Sequence, residues 1–197
     1  MKSEKQWDKE LKIDTCGRDA SGEDAHHYPY EPTPYCVLER LAKSGYLDRV
    51  CHVVDYGCGK GRVGFYLNHA LGCRVTGLEY DEKIYGGALE NNRTFVKKTA
   101  DMEFMCADAA AWPVEDADCF YFFNPFSVEI LHSVIGRIMD SYYSDPRQMY
   151  LFFYYPNEEY VAYLMTASEL MFVDEISCED LFEGENDRER ILVFEVI

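Results

Sequence analysis

The order of apolar and polar positions predicts alternating strands and helices through the middle of the chain. Continuous apolar runs, which are typical of strands buried on both faces, are VCHVVDY (50–56), CRVTGLEY (73–80), MEFMCA (102–107), DCFYFFN (118–124) and QMYLFFYYP (148–156). Between these runs, apolar residues recur at the spacing of an amphipathic helix over 62–71, 82–98 and 129–143. Strands that alternate with helices predict a mostly parallel sheet with helices on both faces.

The C-terminal end departs from this alternation. LMFVDEIS (170–177) and RILVFEVI (190–197) have the composition of strands, and an acidic loop (178–189) joins them. That loop leaves no room for a crossover helix, so one strand must run antiparallel to its neighbour. We therefore expect a C-terminal antiparallel hairpin at the end of the sheet.

The N-terminal end is polar and mixed before its first helix. Thr33 and Pro34 predict the N-cap and the first residue of that helix, and Gly45 follows it. We therefore expect an N-terminal extension with a capping helix over 1–45 and a main domain over 46–197. The stretch HHYPYEPTPY (26–35) is either a lid over a ligand or an irregular connector.

Composition and charge indicate the cellular compartment and the class of partner. The 36 acidic and 19 basic side chains give a formal net charge of −17, and such a mean field argues against a nucleic-acid partner. No apolar run approaches the roughly 20 residues that span a membrane, and the charged start MKSEKQWDKELK has no signal-peptide core. The eight cysteines include no Cys-x-x-Cys pair. We therefore expect a cytoplasmic protein with reduced thiols, no membrane partner and no metal site.

Glycines follow the first predicted strand in VVDYGCGKGRVG (53–64). Gly59-x-Gly61-x-x-Gly64 matches the fingerprint of nicotinamide-dependent Rossmann oxidoreductases, whereas Asp55-x-Gly57-x-Gly59-x-Gly61 matches a loop that holds S-adenosylmethionine. In both cases glycines allow a close approach of the ligand to the backbone, and the next helix offers unpaired N–H groups. A glycine-rich turn that serves packing alone is the structural alternative.

Together, Asp55 to Gly61, Glu79 at the end of the second strand, Asp108 after the third and Asn124-Pro125-Phe126 after the fourth resemble the class I S-adenosylmethionine-dependent methyltransferases. The resemblance covers about residues 50–197. It implies a three-layer α/β Rossmann-like fold with a mostly parallel seven-stranded sheet that ends in an antiparallel hairpin. It also favours S-adenosyl-L-methionine as the cofactor over a nicotinamide.

The resemblance implies a role for each motif residue. Asp55 would orient the loop and the methionine amino group, while the backbone of Gly57, Cys58, Gly59 and Gly61 would pass beneath the cofactor. Cys58 is otherwise expected to be a loop residue and not a nucleophile. Glu79 would accept from the ribose hydroxyls, Tyr80 would lie against the adenine, and Asp108, followed by Ala109, would accept from the adenine amino group. Structural alternatives are a half-buried strand end for Tyr80 and a helix N-cap for Asp108.

The acceptor side of the reaction is assigned to Asn124, Pro125 and Phe126. They resemble the Asn-Pro-Pro-Tyr/Phe motif of methyltransferases that act on planar amino groups, but the second proline is missing. A strand-to-helix turn is the structural alternative. The sequence thus predicts a methyltransferase with a small-molecule or protein acceptor. A nucleic-acid methyltransferase and an NAD-dependent Rossmann oxidoreductase are the alternatives.

Overall fold

A computed structural model describes residues 2–19, 26, 28–96 and 98–197 of the chain, and seven strands in these ranges form one sheet. The strands are β1 His52–Tyr56, β2 Arg74–Glu79, β3 Met102–Cys106, β4 Cys119–Phe122, β5 Tyr150–Tyr154, β6 Leu170–Ser177 and β7 Arg190–Val196. Their order is β3-β2-β1-β4-β5-β7-β6. The first five are parallel, and β7 runs antiparallel to β5 and β6. The predicted fold class and the C-terminal hairpin are therefore confirmed.

Helices cover both faces of this sheet. They are α1 Glu4–Leu11, α2 Tyr35–Ala42, α3 Arg62–Leu71, α4 Glu82–Thr94, α5 Val128–Ser144 and α6 Glu158–Leu164, with a short 3-10 turn at Glu179–Leu181. Adjacent residues of one strand belong to opposite apolar clusters, as Val53 and Val54 do in β1. The central strands are therefore buried on both sides, which explains their continuous apolar sequence. In the described part of the chain, no helix is both long and apolar enough to cross a bilayer.

Helix α4 is shorter than the predicted helix over 82–98. It ends at Thr94, and Phe95 is extended, with φ −50° and ψ 132°. Phe95 is buried as expected, but Val96, which was also predicted to face inward, is 38% exposed. The reason is a tertiary contact: the N–H of Val96 donates to the carbonyl of Leu11 at 3.1 Å, so the backbone leaves the helix to meet the end of α1.

Two boundaries near the carboxyl edge of the sheet also differ from the prediction. The N-cap of α2 is Pro34, without a side-chain cap. The hydroxyl of Thr33 bonds instead to the hydroxyl of Tyr121 at 2.9 Å, because a buried phenol requires a polar partner. Strand β4 ends at Phe122, so Asn124 lies two residues beyond the strand and is not its last residue.

The sheet has a switch point between β1 and β4. From β1 the chain proceeds to β2 and β3 on one side, and later to β4 and β5 on the other. Ligands of open parallel sheets bind outside the carboxyl ends of the strands at such a point. The glycine loop after β1 lies there.

Candidate active site

The loop between β1 and α3 depends on three glycines, Gly57, Gly59 and Gly61, each with a positive φ. Gly57 and Gly59 have φ values of 70° and 56°, which disfavour other residues. A β-carbon on Gly57 would lie 2.4 Å from the Cβ of Pro125, and one on Gly59 would lie 2.2 Å from the ring of Tyr30. Gly61 is the N-cap of α3, so unpaired N–H groups of the first helical turn lie beside the loop.

Asp55 is a buried carboxylate whose Oδ2 has no hydrogen-bond partner among the described residues. Burial raises the pKa of this carboxyl to about 8, and the negative charge of Glu79 adds to the effect. A buried acceptor without a partner is costly. The position is therefore suited to a ligand that brings a cation or a donor.

Glu79 braces the glycine loop from the end of β2. Its Oε2 accepts the N–H of Gly59 at 2.8 Å, and its Oε1 accepts the N–H of Asp81 at 2.9 Å. Burial raises the pKa of Glu79 although these backbone donors act in the opposite direction. Each oxygen keeps acceptor capacity beyond these two bonds, since an ionised carboxylate offers about four lone-pair sites.

Cys58 is a buried residue of the glycine loop. Its N–H donates to the carbonyl of Leu78 at 2.8 Å. Burial, followed by the charges of Asp55 and Glu79, raises the pKa of the thiol well above its ordinary value. A thiol that resists ionisation is a poor nucleophile, which fits the expected loop role.

Asp108 and Ala109 form a turn after β3. The Oδ1 of Asp108 accepts the N–H of Ala110 at 2.9 Å, and its carbonyl accepts from Ala111 and Trp112. No helix begins there in the described chain, so the alternative of a helix N-cap is wrong. Asp108 is exposed and Ala109 is buried, and both line the cavity described below.

The side chain of Asn124 is bonded at both ends to the loop after β5. Its Nδ2 donates to the carbonyl of Tyr155 at 2.7 Å, and its Oδ1 accepts the N–H of Asn157 at 3.1 Å. Asn124 has a φ of 41° and Tyr155 a φ of 49°, both in the left-handed region. These bonds join the ends of β4 and β5. They favour the turn alternative for Asn124, while its predicted part in catalysis stays a prediction.

Pro125 and Phe126 form a wall next to the glycine loop. Pro125 packs on Gly57, and its carbonyl accepts the N–H of Tyr28 at 3.4 Å. Phe126 is buried, and its ring lies edge-on to Tyr56 with 6.4 Å between the centroids. This wall contacts the N-terminal segment on one side and the core on the other.

Sequence reasoning missed Arg62, the first residue of α3, as the group that ties the N-terminal segment to the loop. It is 3% exposed. Its Nε donates to the hydroxyl of Thr15 at 2.7 Å, and its guanidinium donates to the carbonyl of Thr33 at 3.1 Å and to the carboxylate of Glu4. Arg62 directly follows Gly61 in the sequence, but its hydrogen-bond partners lie far from it along the chain, so no local pattern indicated these contacts.

A single cavity with about 960 Å³ of empty volume, its open mouth included, collects most of the predicted residues. The predicted residues that line it are Asp55, Gly57, Cys58, Glu79, Tyr80, Asp108, Ala109, Asn124, Pro125 and Phe126. Gly59 and Gly61 shape the loop without lining the cavity. Residues 28–33 of the N-terminal segment also line it, and Tyr80 lies 54% exposed at the rim.

Comparison with known proteins adds a family match. A family model described as a methyltransferase domain matches residues 53–142, which include the glycine loop and Asn124. No curated protein matches the sequence significantly.

Similar solved structures share the fold at low identity. The tRNA (uracil-54, C5)-methyltransferase of Pyrococcus abyssi, in complex with S-adenosyl-L-homocysteine, has 16% identity and a TM-score of 0.60 over 85% of this chain and 40% of that chain. A mitomycin 7-O-methyltransferase has 16% identity and a TM-score of 0.59 over 81% and 53%. The 23S rRNA methyltransferase ErmE has 17% identity and a TM-score of 0.51 over 82% and 67%. The chain thus spans about half the length, or less, of the first two.

Proposed function

We propose that the chain is a class I S-adenosylmethionine-dependent methyltransferase and that it transfers a methyl group from S-adenosylmethionine to a small-molecule or protein acceptor. The methyltransferase-domain match over residues 53–142 and the fold shared with solved methyltransferases support this proposal. The observation that supports this cofactor best is the unpartnered Oδ2 of Asp55, buried beside the glycine loop. The amino group of the cofactor's methionine would satisfy it. The pyrophosphate of a nicotinamide dinucleotide has no donor to offer the Oδ2 of Asp55 and would meet the negative charge of Glu79, which argues against that alternative.

The proposed contacts use the chemistry of each cavity residue. Asp55 would hold the methionine amino group, and Glu79 would accept from the ribose hydroxyls while it keeps its bond to Gly59. Tyr80 would lie against the adenine at the rim, and the exposed carboxylate of Asp108 would accept from the adenine amino group. The bound cofactor supplies an electrophilic methyl group on a sulfonium. Transfer then depends on the in-line position of a desolvated acceptor.

The charges around the cavity support an acceptor other than a nucleic acid. The charged residues that line it are Glu31, Asp55, Arg62, Glu79, Asp81 and Asp108. Arg62 is engaged with Glu4, Thr15 and Thr33, so it offers little charge to a phosphate. A polyanionic acceptor would therefore meet a repulsive field.

The acceptor class is tested by methyl transfer into a fractionated cell extract. We expect that radiolabel from S-adenosylmethionine enters the small-molecule or protein fraction in the presence of the enzyme. Extract treated with nuclease beforehand serves as the control and should be labelled to the same extent. Label confined to RNA or DNA, and lost after nuclease treatment, would establish the nucleic-acid alternative.

Replacing Glu79 with Ala is expected to weaken binding of S-adenosylhomocysteine at least tenfold. A carboxylate that accepts from two hydroxyls makes charge-assisted bonds worth about 1.5–3 kcal/mol each, and about 1.4 kcal/mol corresponds to one decade of affinity. Titration calorimetry measures the change, with NAD as a ligand expected to give no signal. The exposed neighbour Glu82 provides the control, since Glu82→Ala should leave the affinity unchanged. Equal affinities of both variants and wild type would remove Glu79 from the site.

Replacing Asn124 with Ala is expected to reduce stability, cofactor affinity and turnover together. The change removes two hydrogen bonds to the loop after β5, worth about 1–3 kcal/mol in total, and places Ala at a positive φ. Asn124→Gly is the matched control, because it loses the same bonds but tolerates the backbone conformation, so it should be more stable than the Ala variant by about 1 kcal/mol. Melting curves, calorimetry and steady-state kinetics separate the effects.

A different pattern would assign Asn124 to the acceptor directly. In that case kcat would fall while the melting temperature and the cofactor affinity stayed unchanged. Asn124 would then belong with the groups that contact the reacting atoms, as the sequence predicted.

The division of the chain and its location remain proposals. Leu11 and Ile13 belong to the same apolar cluster as Val53 of β1, which supports an extension over 1–45 that packs on the main domain over 46–197. The contact of Tyr30 with Gly59 supports a lid role for the part of 26–35 that the structure describes. The eight cysteines are free thiols, which supports a reducing, cytoplasmic compartment.

A further inference from the structure

Two thiols and a carboxylate lie close together at the amino ends of β1 and β4, at the end of the sheet opposite the cavity. Cys51 immediately precedes β1, Asp118 immediately precedes β4, and Cys119 is the first residue of β4. The two sulfur atoms and a carboxylate oxygen of Asp118 all lie within 4.8 Å of one another. We call Cys51, Asp118 and Cys119 the thiol cluster. Sequence spacing did not reveal it, because its members come from two strands about 70 residues apart that the fold pairs.

The donor set suits a thiophilic divalent cation. Zinc takes thiolate sulfur at about 2.3 Å and carboxylate oxygen at about 2.0–2.2 Å in a tetrahedron. Tetrahedral ligands at these lengths are separated by roughly 3.5–4 Å, so the three atoms need only small side-chain adjustments. Soft thiolate ligands select zinc over magnesium or calcium.

Neighbouring groups support two of the three ligands. The N–H of Asp48 donates to the Sγ of Cys51 at 3.4 Å, and such bonds to ligating groups are typical of metal sites. The N–H of His52 donates to Oδ1 of Asp118 at 3.0 Å and orients that carboxylate. The Oδ1 of Asp48 lies 3.5 Å from the Sγ of Cys51, so a second carboxylate stands next to the cluster.

The strand register argues against a disulfide between the two thiols. Cys119 pairs with Val53 of β1, and Cys51 lies two residues earlier. Strand spacing and rise then separate the Cα atoms of Cys51 and Cys119 by about 8 Å. Disulfides rarely span more than about 7 Å between Cα atoms, so a covalent bridge would require the backbone to move, whereas a shared ion would not.

We propose that Cys51, Asp118 and Cys119 bind one thiophilic divalent cation, which is zinc in the natural protein. The ion joins the amino ends of β1 and β4. Asp48 or a water molecule completes the coordination. The site is structural, since β1 separates it from Asp55 and the cavity. The ion stiffens the strand that carries Asp55 at its other end.

Cobalt titration of the chelator-treated, reduced protein tests the proposal. We expect one equivalent of Co²⁺ to produce thiolate-to-cobalt charge-transfer absorption, one equivalent of Zn²⁺ to abolish it, and Zn²⁺ to raise the melting temperature. Cys51→Ser and Cys119→Ser should each reduce the absorption by at least half, and the double variant should remove it. Cys106→Ser, which alters an exposed thiol outside the cluster, should keep it.

A second measurement uses the wild-type protein, so it does not depend on whether the variants fold. In the wild-type protein, Zn²⁺ should protect the partly exposed Cys51, but not the exposed Cys106, from alkylation detected by peptide mass spectrometry. The proposal is overturned if Co²⁺ gives no charge-transfer band, if the band survives in the double serine variant, or if Zn²⁺ does not protect Cys51. A Cys51–Cys119 disulfide in the unreduced protein, without metal binding after reduction, would also overturn it. Binding of S-adenosylhomocysteine is measured separately, so these outcomes are independent of the proposed methyl transfer.

Discussion

Replacing Arg62 with Met is expected to lower the free energy of unfolding by about 3–5 kcal/mol, the usual effect of breaking a buried ion pair by removal of one partner. The guanidinium of Arg62 lies 3.9 Å from the carboxylate of Asp8, which is 6% exposed, and it also bonds to Glu4, Thr15 and Thr33. Without Arg62, the negative charge of Asp8 would stay buried with only neutral donors around it.

Replacing an exposed arginine, Arg93, with Met provides the control. Arg93 pairs with Glu90 in α4, and both side chains are largely exposed. Arg93→Met should therefore change the free energy of unfolding by no more than about 1 kcal/mol. Urea unfolding followed by circular dichroism measures both variants at the same pH. Similar midpoints for the two variants would mean that the Arg62 network contributes little to stability.

The network also connects stability to the cavity. Arg62 follows Gly61 of the glycine loop, and it holds the carbonyl of Thr33 in the N-terminal segment that also lines the cavity. We therefore expect Arg62→Met to weaken S-adenosylhomocysteine binding as well, at a temperature where the variant is still folded. Arg93→Met should bind it as wild type does.

The sequence predicted the sheet well because the apolar runs along the chain coincide with strands that are buried on both faces in the fold. The run VCHVVDY (50–56) is mostly apolar, which predicted a strand covered on both sides, and β1, His52–Tyr56, is buried throughout. The run was predicted two residues too long, since Val50 and Cys51 precede the strand and Val50 is 80% exposed. Two helices were missed although each had a local signal. Ser3 and Gln6 form a capping box at the start of α1, and Asn157 caps α6 before Glu158 and Glu159. Both helices are short and depend on tertiary packing, which periodicity over so few residues does not reveal.

The residues of the candidate site were also only partly predictable from the sequence. Asp55 and Glu79 were predictable, because each lies at the carboxyl end of a predicted strand and the glycine loop follows the first of these strands. The bonds of Asn124 to Tyr155 and Asn157 were not, since they depend on how two separate loops meet. The thiol cluster was hidden for the same reason, because strand pairing brings Cys51 next to Cys119. Contacts between distant residues of this kind leave no periodic signal in one sequence.

Replacing Asp55 with Asn is expected to weaken S-adenosylhomocysteine binding by about 10- to 150-fold, since a charge-assisted bond to the ligand's amino group is worth about 1.5–3 kcal/mol. The same variant should lose a pH dependence of stability. Burial and the charge of Glu79 raise the pKa of Asp55 to about 8 in the folded protein, above the value of about 3.9 in an unfolded chain. The folded state therefore holds a proton that the unfolded state releases between these values.

The sign of the pH effect follows from that difference. Where the folded state binds more protons, the free energy of unfolding falls as pH rises, so the contribution of Asp55 is fully present below about pH 4 and is lost by about pH 8. Melting of the free protein across this range should show a shallower decline for Asp55→Asn than for wild type. Asp140→Asn, which alters an exposed acid of α5, should leave the decline unchanged.

Ligand binding should reverse the protonation of Asp55. A bound amino group favours the carboxylate, so wild-type protein at pH 7 should release close to one proton when S-adenosylhomocysteine binds. Calorimetry in two buffers with different ionisation enthalpies measures this proton directly, because the observed heat then depends on the buffer. Asp55→Asn should give buffer-independent heats, and Asp140→Asn should behave as wild type. Buffer-independent heats in the wild-type protein would mean either that Asp55 is already ionised before binding or that another residue holds the amino group of the ligand. Unchanged affinity of Asp55→Asn would identify the second case.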